Sequence, residues 1–269
     1  MSSLESFLKE DVGRGDATAD LVPDMNGRAS IVCEQDAVVA GLEEACDIFS
    51  MAGADATALV KDGSRVKAGT RVISVSGPVR GLLTAERTAL NFMMRMSGIA
   101  TATSEAVELL REKDPDILVC GTRKTTPGFR KYEKKAVRLG GGAEHRSGLD
   151  DMILIKDNHI KACGSVRSAM ERASKAPFNL KVEIEVSSVE EAETAAEMGA
   201  DIIMADNMKP ADVKKLRSAV RKKNPRARVE ASGNITLANV AKYAGCADMV
   251  SMGSLTHSSG SVQFSMDLD

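Results

Sequence analysis

The residues best suited to chemistry in this chain fall in a few short strings. Arg123 and Lys124 lie in "GTRKTT", His145 and Arg146 in "EHRSG", and Lys156 in "ILIKDN". Two carboxylates follow, Glu185 in "KVEIEVS" and Asp206 in "ADIIMADN". The guanidinium fork matches a carboxylate bidentately, so the basic set suits an anion carrying planar carboxylates. The two acidic residues suit a hydroxyl-rich sugar or Mg²⁺. The later turns "EASGNI" and "SMGSLTHS", with Ser232, Gly233 and Gly253, are small-residue segments before helix starts. Such turns cradle phosphate through backbone N–H groups.

These strings must be positioned by the elements that carry them. From about residue 115, short apolar runs alternate with helical patterns: "DILVCG", "DMILIKDN", "KVEIEVS", "ADIIMADN", "ARVEASGN" and "ADMVSMGS". Between the later ones lie "SVEEAETAAEMG", "KPADVKKLRSAVRKKNP" and "TLANVAKYAGC", the last read as a helix over 236–246. This is the rhythm of parallel strands joined by crossover helices. The runs are continuously apolar, as in strands covered on both sides. No strand is followed by G-x-G-x-x-G, which leaves an α/β barrel rather than a dinucleotide-binding sheet. Each run ends on a polar residue, and the C-terminal rim is where barrels place their chemistry.

The first hundred residues read as mixed α and β. "RASIVCEQDAVVAG" (28–41) and "TRVISVSGPVRG" (70–81) are strand candidates, with helical spacing in "GLEEACDIFSMAG" between them. A helix is expected over 82–101, with Thr84 as N-cap and Gly98 as stop. That register puts Arg87 at N3, where a cation opposes the helix dipole, which favours a functional reading.

Composition narrows the partners. Apolar residues make up 43% and charged residues 28%, with a formal net charge of −2, so there is no basic field for nucleic acid. Trp is absent and aromatics are 3%, too few for a base-stacking platform. Five scattered cysteines with no C-x-x-C pair point to a reducing, cytoplasmic setting. No leader or membrane span is expected.

Plainer readings stand beside these. Glu185 could pair with Lys181 or Lys156, and Glu183 shares its side of the strand. Asp157 and Asn158 suit a turn cap, His159 a structural role as readily as a ligand's, the basic run 214–223 a solvated helix face, and the methionines core or interface filling.

Taken together, "EDVGRGDATADL", "LTAERTALNFMMRMSGIAT", "GTRKTTPGFR", "HRSGLDDMILIKDNHI", "EIEVSS", "IIMADN", "VEASGNI" and "VSMGSLTHS" resemble, in order and over essentially the whole chain, the quinolinate phosphoribosyltransferase family. The resemblance implies an N-terminal α/β sandwich domain (1–101, rejoined by the tail 258–269) and a C-terminal open, incomplete α/β barrel (102–257). It implies a homodimer with shared active sites, sometimes assembled further. The implied reaction joins quinolinate to 5-phosphoribosyl-1-pyrophosphate (PRPP) with Mg²⁺, giving nicotinate mononucleotide, pyrophosphate and CO₂ in de novo NAD synthesis. By position, it sets quinolinate against Arg123, His145, Arg146, Lys156 and, from the neighbouring subunit, Arg87. It sets PRPP against Lys124, Lys156, Glu185, Asp206, Ser232, Gly233, Gly253 and His257, with Mg²⁺ at Glu185 and Asp206 directly or through water. The catalytic set is Lys124, Lys156, Glu185 and Asp206.

Three rivals differ in testable ways. A nicotinate-type transferase would not need so many cations. A non-catalytic anion-binding paralogue should have lost Lys124, Glu185 or Asp206, all present. A Schiff-base aldolase built on Lys156 leaves the neighbouring cations unexplained.

Overall fold

The computed structural model describes residues 3–269. The chain opens with helix α1 (Leu4–Val12), then strands β1 (Asn26–Cys33) and β2 (Ala37–Val38), helix α2 (Leu42–Met51), strands β3 (Asp55–Ala58), β4 (Arg65–Val66) and β5 (Thr70–Pro78), and the long helix α3 (Val79–Arg111). The β-branched run of β1 buries Ala29, Ile31 and Cys33, and β5 buries Ile73 and Val75. These side chains pack with Ile48 and Phe49 of α2 and with Phe92, Met93 and Met96 of α3 in one apolar cluster.

Helix α3 overrides two expected boundaries. Pro78 ends β5, the Val79 N–H donates to Met25 O at 3.0 Å, and the helix starts there. Thr84 is therefore inside the helix, and its hydroxyl donates to Asp16 Oδ2 at 2.9 Å. Arg87 is not at N3, so the dipole argument for it lapses; it is an exposed residue further along the helix. Gly98 does not stop the helix either. A Cβ there would meet Gly260 O at 1.9 Å, so its glycine is required by the close passage of the tail.

Strand β6 (Leu118–Cys120) is the first strand of the second unit. Helix α4 (Arg130–Leu139) follows, then β7 (Ile153–Ile155), α5 (Asp157–Cys163), α6 (Val166–Ala173), β8 (Val182–Val186), α7 (Val189–Glu197), β9 (Ile202–Asp206), α8 (Pro210–Lys223), β10 (Arg228–Ser232), β11 (Met249–Ser251), α9 (Ser254–His257) and β12 (Phe264–Leu268). The segment expected as a helix over 236–246 forms only a 3₁₀ turn, Val240–Tyr243.

The strands sort into an antiparallel sheet, β12-β1-β5-β3, a small β2-β4 pair, and a six-stranded sheet, β6-β11-β10-β9-β8-β7. Every pairing in the six-stranded sheet is parallel. Among the described residues β6 and β7 do not pair with each other, so the barrel is open; Ala143 adds a parallel bridge to Cys120 beside β6.

The chain divides into two compact units. One comprises residues 1–104, 125–141 and 259–269, the other 105–124 and 142–258. The tail groups with the N-terminal unit. Residues 125–141, expected within the barrel, group with it too. The reason is α4, whose Tyr132, Ala136 and Val137 join the same apolar cluster as Phe92, with the Tyr132 and Phe92 rings edge to face at 4.9 Å between centroids. Glu133, fully buried, accepts from Arg95 at 2.7 Å and from Thr126 N–H at 3.1 Å. Lys135 adds ion pairs to Glu43 (2.7 Å) and Glu44 (2.8 Å).

Barrel register determines what enters the lumen. Glu185 pairs with Met204, Met204 with Glu230, and Glu230 with Met249; one level higher on the same face, Asp206 pairs with Ser232. Strand side chains alternate between faces, so residues 183 and 185, 204 and 206, and 230 and 232 share one side. Cys120, Ile202 and Met249 form an apolar cluster with Leu118, Ala143 and Met152 packed against it.

Candidate active site

At the C-terminal ends of the barrel strands lies a cavity of about 610 Å³, formed within the second unit alone. It is lined by Arg123, Lys124, His145, Arg146, Lys156, Glu185, Asp206, Ser232, Gly233, Gly253 and His257. Of the residues singled out from sequence, Arg87 is the one that does not line it; it belongs to the N-terminal unit.

Lys124 is carried by the loop after β6. Its carbonyl accepts from the buried Thr256 hydroxyl at 2.7 Å, which ties that loop to α9. A Cβ at Gly253 would lie 2.9 Å from Lys124 Cδ and 3.1 Å from His257 Nε2. Glycine there lets both side chains converge over the end of β11.

Lys156 follows β7. Its Nζ is 2.9 Å from Glu185 Oε2, so the expected ion pair is present, and Lys156 is the partner rather than Lys181. The Lys156 N–H donates to His159 Nδ1 at 2.9 Å. His159 is thereby a cap for α5, its structural reading. Asp157 closes the same turn, accepting from Asn158 N–H and pairing with Lys161.

Asp206 ends β9. Its Oδ2 accepts from Asn207 Nδ2 at 2.7 Å, and Asn207 Oδ1 accepts in turn from Asn234 Nδ2 at 3.0 Å. Asn207 and Asn234 both have φ near +50°, and with His145 they are the non-glycine residues of positive φ among those described. Such conformations cluster where surrounding structure overrides local preference, often at functional sites. Gly233 sits between them with φ +96°, where a Cβ would meet Asn207 Oδ1 at 2.3 Å. No larger residue fits there without displacing the link to Asp206.

His145 reaches into the barrel. Its Nε2 lies 3.1 Å from Glu230 Oε2 and 3.3 Å from Glu183 Oε2, and both glutamates are fully buried. Burial alone would lower the imidazole pKa, but hydrogen bonds and charge from the two carboxylates outweigh it and raise it to about 10. His145 is thus an imidazolium at neutral pH. Glu183 is itself pushed above the usual carboxylate range, by burial and by Glu230, with His145 opposing. Beside His145, the Arg146 guanidinium pKa is lowered by burial and by Arg123, against the pull of Glu183 and Asp151. Anionic groups in the cavity would relieve that crowding of cations.

Glu230 was not visible as a site residue in the sequence, and Glu183 only as an alternative to Glu185. The available signal was parity. Glu183 lies two residues before Glu185, and Glu230 two before Ser232, so each shares the lumen face of its strand. Lumen glutamates below the rim are costly unless paired.

Two carboxylates, Glu185 and Asp206, stand on neighbouring strands at successive levels of the lumen face. This hard-oxygen pair fits Mg²⁺ that keeps waters and phosphate oxygens as its other ligands. The cluster Glu43, Glu44 and Asp62 offers no comparable site, since Lys135 Nζ already occupies it at 2.7, 2.8 and 3.6 Å.

At the barrel's opposite end, Asp248 accepts from Arg217 at 2.6 Å and Arg221 at 2.7 Å. The basic run over 214–223 is therefore a solvated face with two arginines drawn onto the scaffold. The five cysteines are free thiols, and among the described residues no helix is long and apolar enough to cross a membrane.

Two family models cover the chain: "Quinolinate phosphoribosyl transferase, N-terminal domain" over residues 16–97, and "Quinolinate phosphoribosyl transferase, C-terminal domain" over residues 99–267. A probable nicotinate-nucleotide pyrophosphorylase [carboxylating] of Archaeoglobus fulgidus is 43% identical over 94% of this chain and 97% of its own length. The Homo sapiens nicotinate-nucleotide pyrophosphorylase [carboxylating] is 39% identical, over 98% of this chain and 90% of its own. Among solved structures, NadC from Streptococcus pyogenes superposes with a TM-score of 0.93 at 42% identity, covering 99% of this chain and 95% of that one. The nicotinate-nucleotide pyrophosphorylase from Francisella tularensis gives 0.93 at 35% identity, with 99% and 94% covered.

Proposed function

The chain belongs to the quinolinate phosphoribosyltransferase family, the carboxylating nicotinate-nucleotide pyrophosphorylases of NAD biosynthesis, and from that premise we propose how its residues divide the reaction. Quinolinate brings two ring carboxylates, PRPP a ribose with a leaving pyrophosphate. The observation that carries the assignment is the charge gathered in one cavity: Arg123, Arg146, Lys156 and an imidazolium at His145, together with Asp206 and with Glu185, which is ion-paired to Lys156.

Arg123, His145, Arg146 and Lys156 bind the two carboxylates and orient the ring nitrogen toward the anomeric carbon, which is catalysis by positioning. Lys124 and His257, with backbone N–H groups around Ser232, Gly233 and Gly253, receive the phosphates. The C–O bond to pyrophosphate breaks as the C–N bond forms, and positive charge grows on the ribose. Glu185 and Asp206 stabilise that charge. Mg²⁺, held by these two carboxylates directly or through water, would neutralise the departing pyrophosphate. Lys156, paired with Glu185, touches both ligand sites and couples them.

The ribosylated nitrogen is then a cationic electron sink. The bond to the adjacent carboxylate breaks, its electron pair stays on the ring carbon, CO₂ leaves and a proton replaces it. No covalent enzyme intermediate is needed, and none of the cysteines lines the cavity. We further assign the working form to a homodimer, in which Arg87 of one subunit serves quinolinate bound in the other. The exposed position of Arg87 on α3 is compatible with this, and five free thiols suit a reducing cytoplasm.

The test is product formation. Purified protein given quinolinate, PRPP and Mg²⁺ should release nicotinate mononucleotide, pyrophosphate and CO₂ in equal amounts. Folded, metal-supplied protein that yields no nucleotide would sink the reading. Faster turnover of nicotinate than quinolinate would reassign the substrate.

A further inference from the structure

Glu183 and Glu230 are fully buried carboxylates in the lumen of a small barrel, Glu230 at the base of the rim cavity. Glu183 Oε1 and Oε2 and Glu230 Oε1 have no hydrogen-bond donor, so Glu183 meets His145 as an ion-pair contact and Glu230 through a hydrogen bond. Two buried acids at this depth need a stated role, because isolated charge there is strongly unfavourable. The group they share is His145 Nε2, at 3.3 and 3.1 Å.

We propose that Glu183 and Glu230 are positioning residues that lock His145 as a cation with Nε2 turned into the barrel, leaving Nδ1–H for one carboxylate of quinolinate, so that this buried pair sets the preference for two ring carboxylates over one. The inference rests on the functional reading above and deepens it. A neutral imidazole with Nε2 so engaged would leave Nδ1 as an acceptor, which repels a carboxylate. A doubly protonated ring presents a donor there. Two carboxylates on one ring nitrogen enforce the doubly protonated form more firmly than one.

The surroundings fit this division. From β8 come Glu183 and, nearer the rim, Glu185; from β10 comes Glu230; β9 contributes Met204 and, at the rim, Asp206, whose Oδ2 is engaged by Asn207; β11 contributes Ser251. Arg146 on the same segment, and Arg123, Lys124 and Lys156 around the cavity, all oppose a positive His145. Only the two glutamates favour it, and the raised imidazole pKa is the net result. The backbone of His145, at φ +54°, turns the side chain inward to meet them.

The chain has three histidines, His145, His159 and His257, so imidazole NMR signals can be assigned by single replacement. In the wild-type protein, His145 should remain an imidazolium through about pH 9. In Glu230→Gln, which keeps shape and a hydrogen-bond acceptor, the His145 titration should fall by more than about one pH unit. At about pH 9 this variant should bind quinolinate roughly tenfold more weakly, with PRPP affinity changed less than about threefold. Nicotinate affinity should change less than quinolinate affinity, and in a His145→Gln background Glu230→Gln should add nothing further. A wild-type His145 that titrates near the ordinary imidazole value overturns the proposal whether or not any variant folds. So does equal weakening of quinolinate and PRPP, or a divalent ion retained stoichiometrically on a neutral His145. Wild-type protein that neither binds nor converts quinolinate would instead overturn the functional reading, leaving the NMR titration to judge the cationic cradle by itself.

Discussion

Replacing Arg146 by Ala separates two effects that the cavity combines. In the wild-type protein Arg146 is partly buried beside Arg123, and both burial and that neighbour weaken its hold on its proton. The site is therefore strained by like charge before any ligand arrives. A charge-assisted hydrogen bond to a carboxylate contributes roughly 1.5–3 kcal/mol. Losing it should raise the quinolinate dissociation constant by about 10- to 150-fold. Relief of the Arg123 repulsion offsets part of this in the free protein, while the lost attraction to Glu183 and Asp151 works the other way. The thermal midpoint without ligand should thus move by no more than about 2 °C in either direction, within the range of a surface substitution. PRPP affinity, measured separately by calorimetry with Mg²⁺ present, should change less than about threefold. If both ligands weaken by the same factor, or if the unliganded protein loses several degrees, Arg146 is part of the scaffold and the separation of ligand sites by charge is wrong.

Other perturbations test other links. Gly98→Ala should destabilise the protein by about 2–4 kcal/mol in denaturant unfolding, despite alanine's better helix propensity, because its Cβ meets the Gly260 carbonyl and the tail cannot yield without losing the Val262-to-Met94 backbone bond; an unchanged or raised stability refutes that packing. Asp248 has a depressed pKa: burial pushes it up, but the Val229 N–H and Arg217 outweigh that. A depressed carboxylate adds stability above its unfolded pKa and loses it as pH falls through the folded value, so Asp248→Asn should cost about 2 kcal/mol at neutral pH and little in acid. Unfolding curves that differ equally at both pH values would refute the assignment. Arg87→Ala and Lys124→Ala should each be nearly inactive, yet mixed assemblies should regain activity if Arg87 serves the partner's site; confirmed subunit exchange without recovery would place Arg87 in its own subunit's chemistry or in the scaffold.

The parts of this molecule legible in sequence are those where a local pattern and the tertiary environment ask for the same thing. The barrel strands read correctly because both faces are covered, which leaves continuous apolar runs such as "DIIMA". Their polar ends read correctly because rim residues face solvent or ligand. Misreadings arose where a distant contact overrode a local signal. Gly98 looked like a helix stop because glycine usually is one, but here it admits the tail, 162 positions away along the chain at Gly260. Thr84 looked like an N-cap until Asp16 claimed its hydroxyl. Residues 125–141 looked like part of the barrel by chain order, whereas their aromatic and charged partners lie in the other unit.

The buried glutamates show a different limit. Parity places Glu183 and Glu230 on the lumen face, but parity is blind to depth, which only the strand register supplies. Glu230 pairs with Met204 opposite Glu185, and Glu183 with Ile202, one repeat lower. At that lower level Glu183 stands beside the apolar Ile202 and takes its cation from outside the strand ladder. His145 supplies it from an irregular segment whose positive φ no propensity favours. A site residue held by strained backbone and answered by two acids from strands far along the chain leaves no contiguous motif of its own. The chemical reason for the string "EHRSG" is therefore distributed: Arg146 acts at the cavity surface, while His145 acts there only because Glu183 and Glu230 hold its other ring nitrogen beneath it.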